Sequence, residues 1–293
     1  MAARTRLQDI AAHSGVSTAT VSRVLNGKEG VADSTRTAVL TAMDVLGYER
    51  PATMARPSRG VVGLVVPELG NPIFPAFAQA AVSQFGFHGY ATILATQSAG
   101  GATEDEIVGT LLEHGVDGLC LVSGLHADLR AATARYDRLS ARRLPFVTVN
   151  GHNPAVDAPS FTTDDRSAMD LAVRHLAAQG HRRVGLTVGP ERFVPAARKI
   201  EGFRDAAGRH LGDPEPPVVS SLFSVEAGGA ALPTLLDAGC TAVVCGSDLM
   251  ALGVIRAARS AGLRVPEDLS VVAFDDSNHV AFSDPPPTTL RPP

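Results

Sequence analysis

Two pairs of adjacent carboxylates, Asp164-Asp165 and Asp275-Asp276, are the residues whose type best suits acid–base chemistry. Neither pair has the companions a reaction needs. No nucleophile or metal-spaced histidine accompanies them: His13 falls in a turn, His175 in a helix, and His181 after a helix-ending glycine. No G-x-S-x-G elbow, P-loop or G-x-G-x-x-G occurs. Cys120, Cys240 and Cys245 lie in apolar runs at spacings that fit neither zinc nor a disulfide framework, so they read as core residues. Catalysis, a metal and a cofactor are therefore not expected, and the chemistry to look for is recognition.

The densest recognition chemistry lies at 5–26, TRLQDIAAHSGVSTATVSRVLN. Thr5 with Gln8 three residues on reads as a capping box. Leu7, Ile10 and Ala11 then mark the apolar face of a short helix that Gly15 ends. Ser17 can cap a second helix, buried through Val16, Val21, Val24 and Leu25. Two short helices joined by a tight glycine turn make a helix-turn-helix, whose second helix enters the major groove N-terminus first. A third helix is expected over 33–47, with Val39, Leu40, Met43 and Leu46 facing inward. Periodicity alone also allows a three-helix bundle with no nucleic-acid role.

From Val61 onward, apolar runs at 61–66, 90–96, 118–122, 145–149, 184–188, 218–223, 242–245 and 269–274 alternate with segments of helical length. Continuous apolar strands alternating with helices mean parallel sheets covered on both faces. Eight strands in two series of four suggest two doubly wound lobes, with ligands outside the carboxyl ends of the strands. Polar and aromatic residues gather at those ends: Asn71, Gln97, Ser98, Ser123 and Asn150 in the first series, Arg198, Phe223, Ser247, Asp248 and Asp275 in the second. Strand-end loops are polar in any case, and Asp248 can equally cap a helix over 249–260. With no Trp, Phe74, Phe161, Phe193 and Phe223 are the available stacking surfaces.

Charge divides the same way. Residues 1–60 carry eight Lys and Arg against five Asp and Glu, whereas the remainder carries eighteen against twenty-five. A basic head on an acidic body directs polyanions to the head. The composition is that of a soluble globular protein. The polar N-terminus has no secretory signal and no apolar run spans a membrane, so a cytoplasmic location is expected.

The run DIAAHSGVSTATVSRVLNG followed by TRTAVLTAMDVLGY resembles the DNA-binding head of the LacI/GalR family of bacterial repressors, without a gap across 9–48. LGNPIFPAF, VSGL, HLAAQGHRRVGLTVGP, RKIEGF, GSDLMALG and VPEDLSVVAFDD resemble core segments of the same family in the right order. The resemblance implies a head at 1–48, a hinge at 49–60 and a two-lobed sensor at 61–293, resembling type I periplasmic binding proteins. Its N-lobe would span about 61–158 and its C-lobe about 159–288.

It further implies a homodimer on a pseudo-palindromic double-stranded operator, relieved or reinforced by a sugar-like effector in the interlobe cleft. Ser17, Thr18, Ala19, Thr20, Ser22, Arg23 and Asn26 would meet DNA, Arg23 reaching a guanine edge or phosphate and Ser17, Thr20 and Ser22 the backbone. Arg198 takes the place of the family's effector-binding arginine, Phe223 its stacking aromatic and Asp275 its hydroxyl-accepting acid, while Ser247 replaces a frequent Asn; Asn71, Phe74, Ser123, Asn150, Asp164 and Asp248 complete the implied effector set.

Three departures follow from the same comparison. Ala32 stands where the family opens the third helix with Ser, so Asp33 or Ser34 is expected to cap. The hinge has Ala55-Arg56 but Pro57 or Ser58 in place of the minor-groove leucine, leaving Met54 as the apolar wedge and Arg56 beside it. The chain stops soon after the segment beginning at Asp284, so the first lobe is expected to lack a covering helix and the second an edge strand.

Overall fold

Gly15 makes the turn between the first two helices, adopting φ 69 where a side chain would be strained. It closes α1 (Leu7–Ser14), and Ser17 opens α2 (Thr18–Leu25) by accepting from the Thr20 backbone N–H at 3.1 Å. The start of α1 differs from the capping-box reading. Arg6 holds the N-cap, and the Asp9 carboxylate accepts from the Arg6 N–H at 2.7 Å. An acid in the first turn does the work expected of Gln8, because it also complements the positive helix end. The computed structural model describes residues 6–26, 28, 30–48, 58–97 and 100–293. Thr5 lies outside them.

α3 (Asp33–Val45) begins at Ala32 with no side-chain cap, so neither Asp33 nor Ser34 fills that role. It also ends earlier than expected. Its buried face runs through Val39, Ala42, Met43 and Leu46, closing on Ile10, Ala11, Val21 and Val24. Leu40, expected to face inward, is 51% exposed. One residue on from Val39 is about 100° around the helix, so both cannot point at the same core. The head forms one compact unit, and the rest of the chain from Gly60 a second, with residues 87–89 grouped with the head.

The described strands of the second unit form two parallel five-stranded sheets. The first runs β2-β1-β3-β4-β5, from β1 (Gly60–Val66), β2 (Tyr90–Thr96), β3 (Gly118–Val122), β4 (Phe146–Val149) and β5 (Ser160–Phe161). α4 (Ile73–Phe87), α5 (Glu104–Glu113) and α6 (Ala134–Ala141) make its crossovers. The second sheet runs β10-β9-β8-β6-β7, from β6 (Val184–Val188), β7 (Val218–Ser220), β8 (Ala242–Cys245), β9 (Ser270–Phe274) and β10 (Thr288–Leu290). Its helices are α7 (Asp165–Ala178), α8 (Val194–Leu211), α9 (Val225–Asp237) and α10 (Asp248–Ser260). β6 and β8 are buried at every residue, as central parallel strands must be.

Sequence periodicity found eight of these ten strands. β5 has two residues and β10 three, too short to show a period. β5 pairs with β4, which carries the first lobe to Phe161, past the expected boundary at 158. β10 supplies the second sheet with an edge strand, beside β9, where none was expected. β7 stops at Ser220, short of the expected 223, because the chain turns to Ser224, the N-cap of α9. All three cysteines are buried, and burial pushes the Cys120 and Cys240 thiols up to about 11.

α9 and α10 cross backbone to backbone. A Cβ on Gly253 would overlap the Val225 carbonyl oxygen, and one on Gly228 the Met250 carbonyl oxygen. Neither obstacle can rotate away. Gly253→Ala is therefore expected to destabilise the second unit by about 3 kcal/mol, the upper range for an overpacked core. A denaturant midpoint equal to the wild type would disprove the contact.

Candidate effector site and nucleic-acid interface

In the head, packing fixes which face of α2 is available. Val21 and Val24 point inward, and Ser17, Thr18, Ala19, Arg23 and Asn26 are exposed on the other side, with Thr20 and Ser22 half-buried. Ser17 is already engaged as the cap and lies 2.9 Å from the Thr20 hydroxyl; Asn26 Nδ2 donates to Ser22 Oγ at 3.3 Å. The hydroxyls thus brace the helix end, and Thr18, Ala19 and Arg23 present the forward surface. Thr18 and Ala19 are small, suited to a thymine methyl or one hydrogen bond, whereas Arg23 alone in this set can make a bidentate contact. Met54, Arg56 and Pro57 lie outside the described residues.

The body has two topological switch points, where successive crossovers leave in opposite directions. In the first sheet this falls between β1 and β3, and in the second between β6 and β8. Doubly wound sheets hold ligands outside the strand carboxyl ends at such points. Asn71 follows β1; it is buried, and its Oδ1 accepts from Ile73 N at 3.3 Å, while Phe74 half-buries against Leu64 and Val66. Ser123 and Asn150 end β3 and β4. Both have positive φ, 46 and 59, and Asn150 Nδ2 donates to Ser123 Oγ at 2.6 Å. Gln97 is drawn away to Glu104, at 3.3 Å, and Ser98 is outside the described residues.

In the second lobe the predicted residues separate into those that build and those that face the edge. Asp164 caps α7 on the surface, accepting from Ser167 N at 3.1 Å and Oγ at 2.6 Å, and those hydrogen bonds hold its carboxyl below the usual range. Ser247 is the buried cap of α10. Asp248 is not that cap. Its carboxylate accepts from Ser277 N at 2.6 Å and Thr289 Oγ1 at 2.8 Å, fastening the segment between β9 and β10. Phe223 lies across Gly189, where any Cβ would overlap its ring. Phe193 carries the Arg192 guanidinium 4.6 Å above its ring, and Phe161 is 63% exposed.

Arg198 is half-buried on α8 and reaches the His152 carbonyl at 3.4 Å. Its neighbour Lys199 occupies the interior instead. Lys199 is 4% exposed, its Nζ donates to Asp165 Oδ1 at 2.5 Å and sits 3.9 Å above the Phe274 ring. Burial raises the Asp165 carboxyl against the pull of Lys199, and its Oδ2 is buried without a hydrogen-bond partner. Asp275, at φ 122 just after β9, feels Lys199, Asp248 and Asp165 together; burial pushes it up to about 7.

Sequence reasoning weighed Asp165 only as half of an adjacent carboxylate pair and missed Lys199, although helix phase marks both. Lys199 falls with Ala196, Ile200 and Phe203 on the inward stripe of α8, and Asp165 with Met169 and Ala172 on that of α7. Chemically the group offers an ammonium, two carboxylates with acceptor capacity and aromatic faces. That suits a neutral polyhydroxylated ligand, not a reaction. Among the described residues no three His, Cys, Asp or Glu side chains converge as metal ligands.

Comparison with known proteins accounts for both units. Residues 6–51 match the family described as "Bacterial regulatory proteins, lacI family", and residues 173–293 the "Periplasmic binding protein-like domain". The chain is 58% identical over 292 residues to the HTH-type transcriptional regulator in aml 5'region of Streptomyces limosus, covering 98% of this chain and 83% of that protein. Its structure resembles a transcriptional regulator CelR–cellobiose complex, with a TM-score of 0.69, 31% identity and coverage of 99% and 88% of the two chains. It also resembles a lac repressor dimer bound to operator and the anti-inducer ONPF, with a TM-score of 0.68, 26% identity and the same coverages.

The Asp275 carboxyl gives a direct test of the cluster. An acid raised from 3.8 to about 7 binds its proton more tightly in the folded chain than in the unfolded one. Its contribution is full below pH 4 and falls away as the pH rises to about 7. Asp275→Asn cannot titrate, so its stability relative to wild type should improve across that window by up to about 4 kcal/mol and then level off. Parallel pH–stability curves for the two proteins would rule out a proton-holding Asp275.

Proposed function

The chain belongs to the lacI family of bacterial regulatory proteins and is a helix-turn-helix transcriptional regulator, and on that premise we propose that it represses transcription as an effector-controlled homodimer. Each head grips one half-site of a pseudo-palindromic operator, with Arg23 the principal base or phosphate contact and Thr18 and Ala19 beside it. Met54 and Arg56 contact the operator between the half-sites.

The effector is a carbohydrate held between the lobes. Asp275 and the unpartnered Asp165 Oδ2 accept from its hydroxyls, Lys199 donates to a ring or hydroxyl oxygen, and Phe223 lies against an apolar face. Ser123, Asn150 and Asn71 close over it from the first lobe, and Arg198 contributes at the rim. The observation that carries this reading is the buried Asp165 oxygen with no partner beside an ammonium: a buried acceptor left unmade is costly, and a ligand hydroxyl satisfies it. Effector changes operator affinity only to the extent that it binds the two lobe arrangements differently.

A thermal-shift screen of mono- and disaccharides, cellobiose among them, should give one ligand class that stabilises by about 2.7 kcal/mol at a hundred times its dissociation constant. Lys199→Met with Asp165→Asn, which removes the pair without stranding a charge, should weaken that ligand at least tenfold and leave operator affinity unchanged. Arg23→Ala should do the reverse, costing about 1–3 kcal/mol of specific operator binding with the sugar shift intact. A wild-type sugar response from the double variant would place the effector elsewhere. An unchanged operator footprint from Arg23→Ala would remove it from the interface.

A further inference from the structure

A pocket lies on the first lobe between α5 and α6, running from the first turns of both helices. It encloses about 180 Å³. That is the room of roughly six water molecules at about 30 Å³ each. Residues 130–143 hold five arginines against one aspartate, in a body whose acids outnumber its bases by seven. Helical spacing sets three of them, Arg135, Arg138 and Arg142, along one edge of the pocket.

Their charge is under-compensated. Asp105 is shared between Arg135 at 3.3 Å and Arg138 at 3.4 Å, and Arg142 makes no ion pair among the described residues. Glu104, the other acid here, is 2% exposed and already accepts from Tyr136 Oη at 2.7 Å, Leu125 N at 2.7 Å and Gln97 Nε2 at 3.3 Å. It fixes the Tyr136 wall and leaves the rim to the guanidiniums. The floor is apolar, made by Val108, Leu112 and Leu139. Gly109 opens it further: this helical position has nothing within 4 Å of where a Cβ would stand.

We propose that this pocket binds a phosphate monoester of a small metabolite, its phosphoryl group on Arg138 and Arg142 and its carbon skeleton on the apolar floor. Guanidinium forks match phosphate oxygens in pairs, and a two-oxygen contact from each arginine needs no further cation. A bare inorganic anion would use the rim and leave the floor empty, so the ester binds more tightly than phosphate itself.

The test is calorimetric titration of the full chain with glycerol phosphate and, separately, inorganic phosphate. Saturable binding of glycerol phosphate, tighter than that of inorganic phosphate, is expected. Arg138→Gln with Arg142→Gln should weaken the ester at least tenfold. Gly109→Leu, which fills the floor from an unobstructed helical position, should exclude it while the protein stays folded by circular dichroism. Both variants should bind operator as the wild type does. The proposal fails if glycerol phosphate shows no saturable binding, if it binds no better than inorganic phosphate, or if its binding survives both sets of substitutions.

Discussion

A parallel strand cannot pair with the strand before it until the chain has travelled back along the sheet, and here every such return is made by a helix or a long loop. That constraint puts all the strand carboxyl ends of a lobe on one edge and all the helix starts beside them. Helix starts want hydrogen-bond acceptors, which explains Ser247, Ser224 and Asp164 at their caps. The same edge therefore collects polar groups for structural reasons before any ligand is considered. Function has to be read from the groups left over once capping is accounted for. Ser123, Asn150, Asp165 Oδ2 and Asp275 are among the groups that no helix cap accounts for in the described body.

The Lys199–Asp165 pair shows how such a remainder is sustained. Two charges withdrawn from water lose hydration that their attraction alone scarcely repays. The Phe274 face under the ammonium and the nearby Asp275 add to the attraction, and the raised Asp275 carboxyl shows the opposite pressure on the acids. An apolar substitute of the same volume would pack as well. A charged pair kept there, with one carboxylate oxygen unmade, is consistent with a core arranged around something that arrives.

Much of this was legible in the sequence. Gly15, Ser17 and the Val21–Val24 stripe announce the head, because capping and periodicity are local rules that tertiary structure left undisturbed. The long apolar strands were equally plain. What escaped depended on phase or on distant partners. Arg198 and Lys199 are neighbours of like charge, and only the orientation of α8 decides which is buried. Leu40 was misread for the same reason. Asp248 looks like a helix cap, and its true partners, Ser277 and Thr289, lie 29 and 41 residues away. β5 and β10 exist because neighbouring strands offer open edges, a fact no short segment contains.

The glycine crossing of α9 and α10 takes on another meaning beside Asp248. Where Gly228 and Gly253 meet the facing backbones no side chain stands between the two helices, and they pack there as one plate. Asp248, at the head of α10, rivets that plate to the segment between β9 and β10, and Thr289 Oγ1 accepts in turn from Asp276 N at 3.2 Å. That plate runs some 18–20 Å along α10, at about 1.5 Å per residue, so the segment after β9 is moored to a long close-packed element and not to a loop.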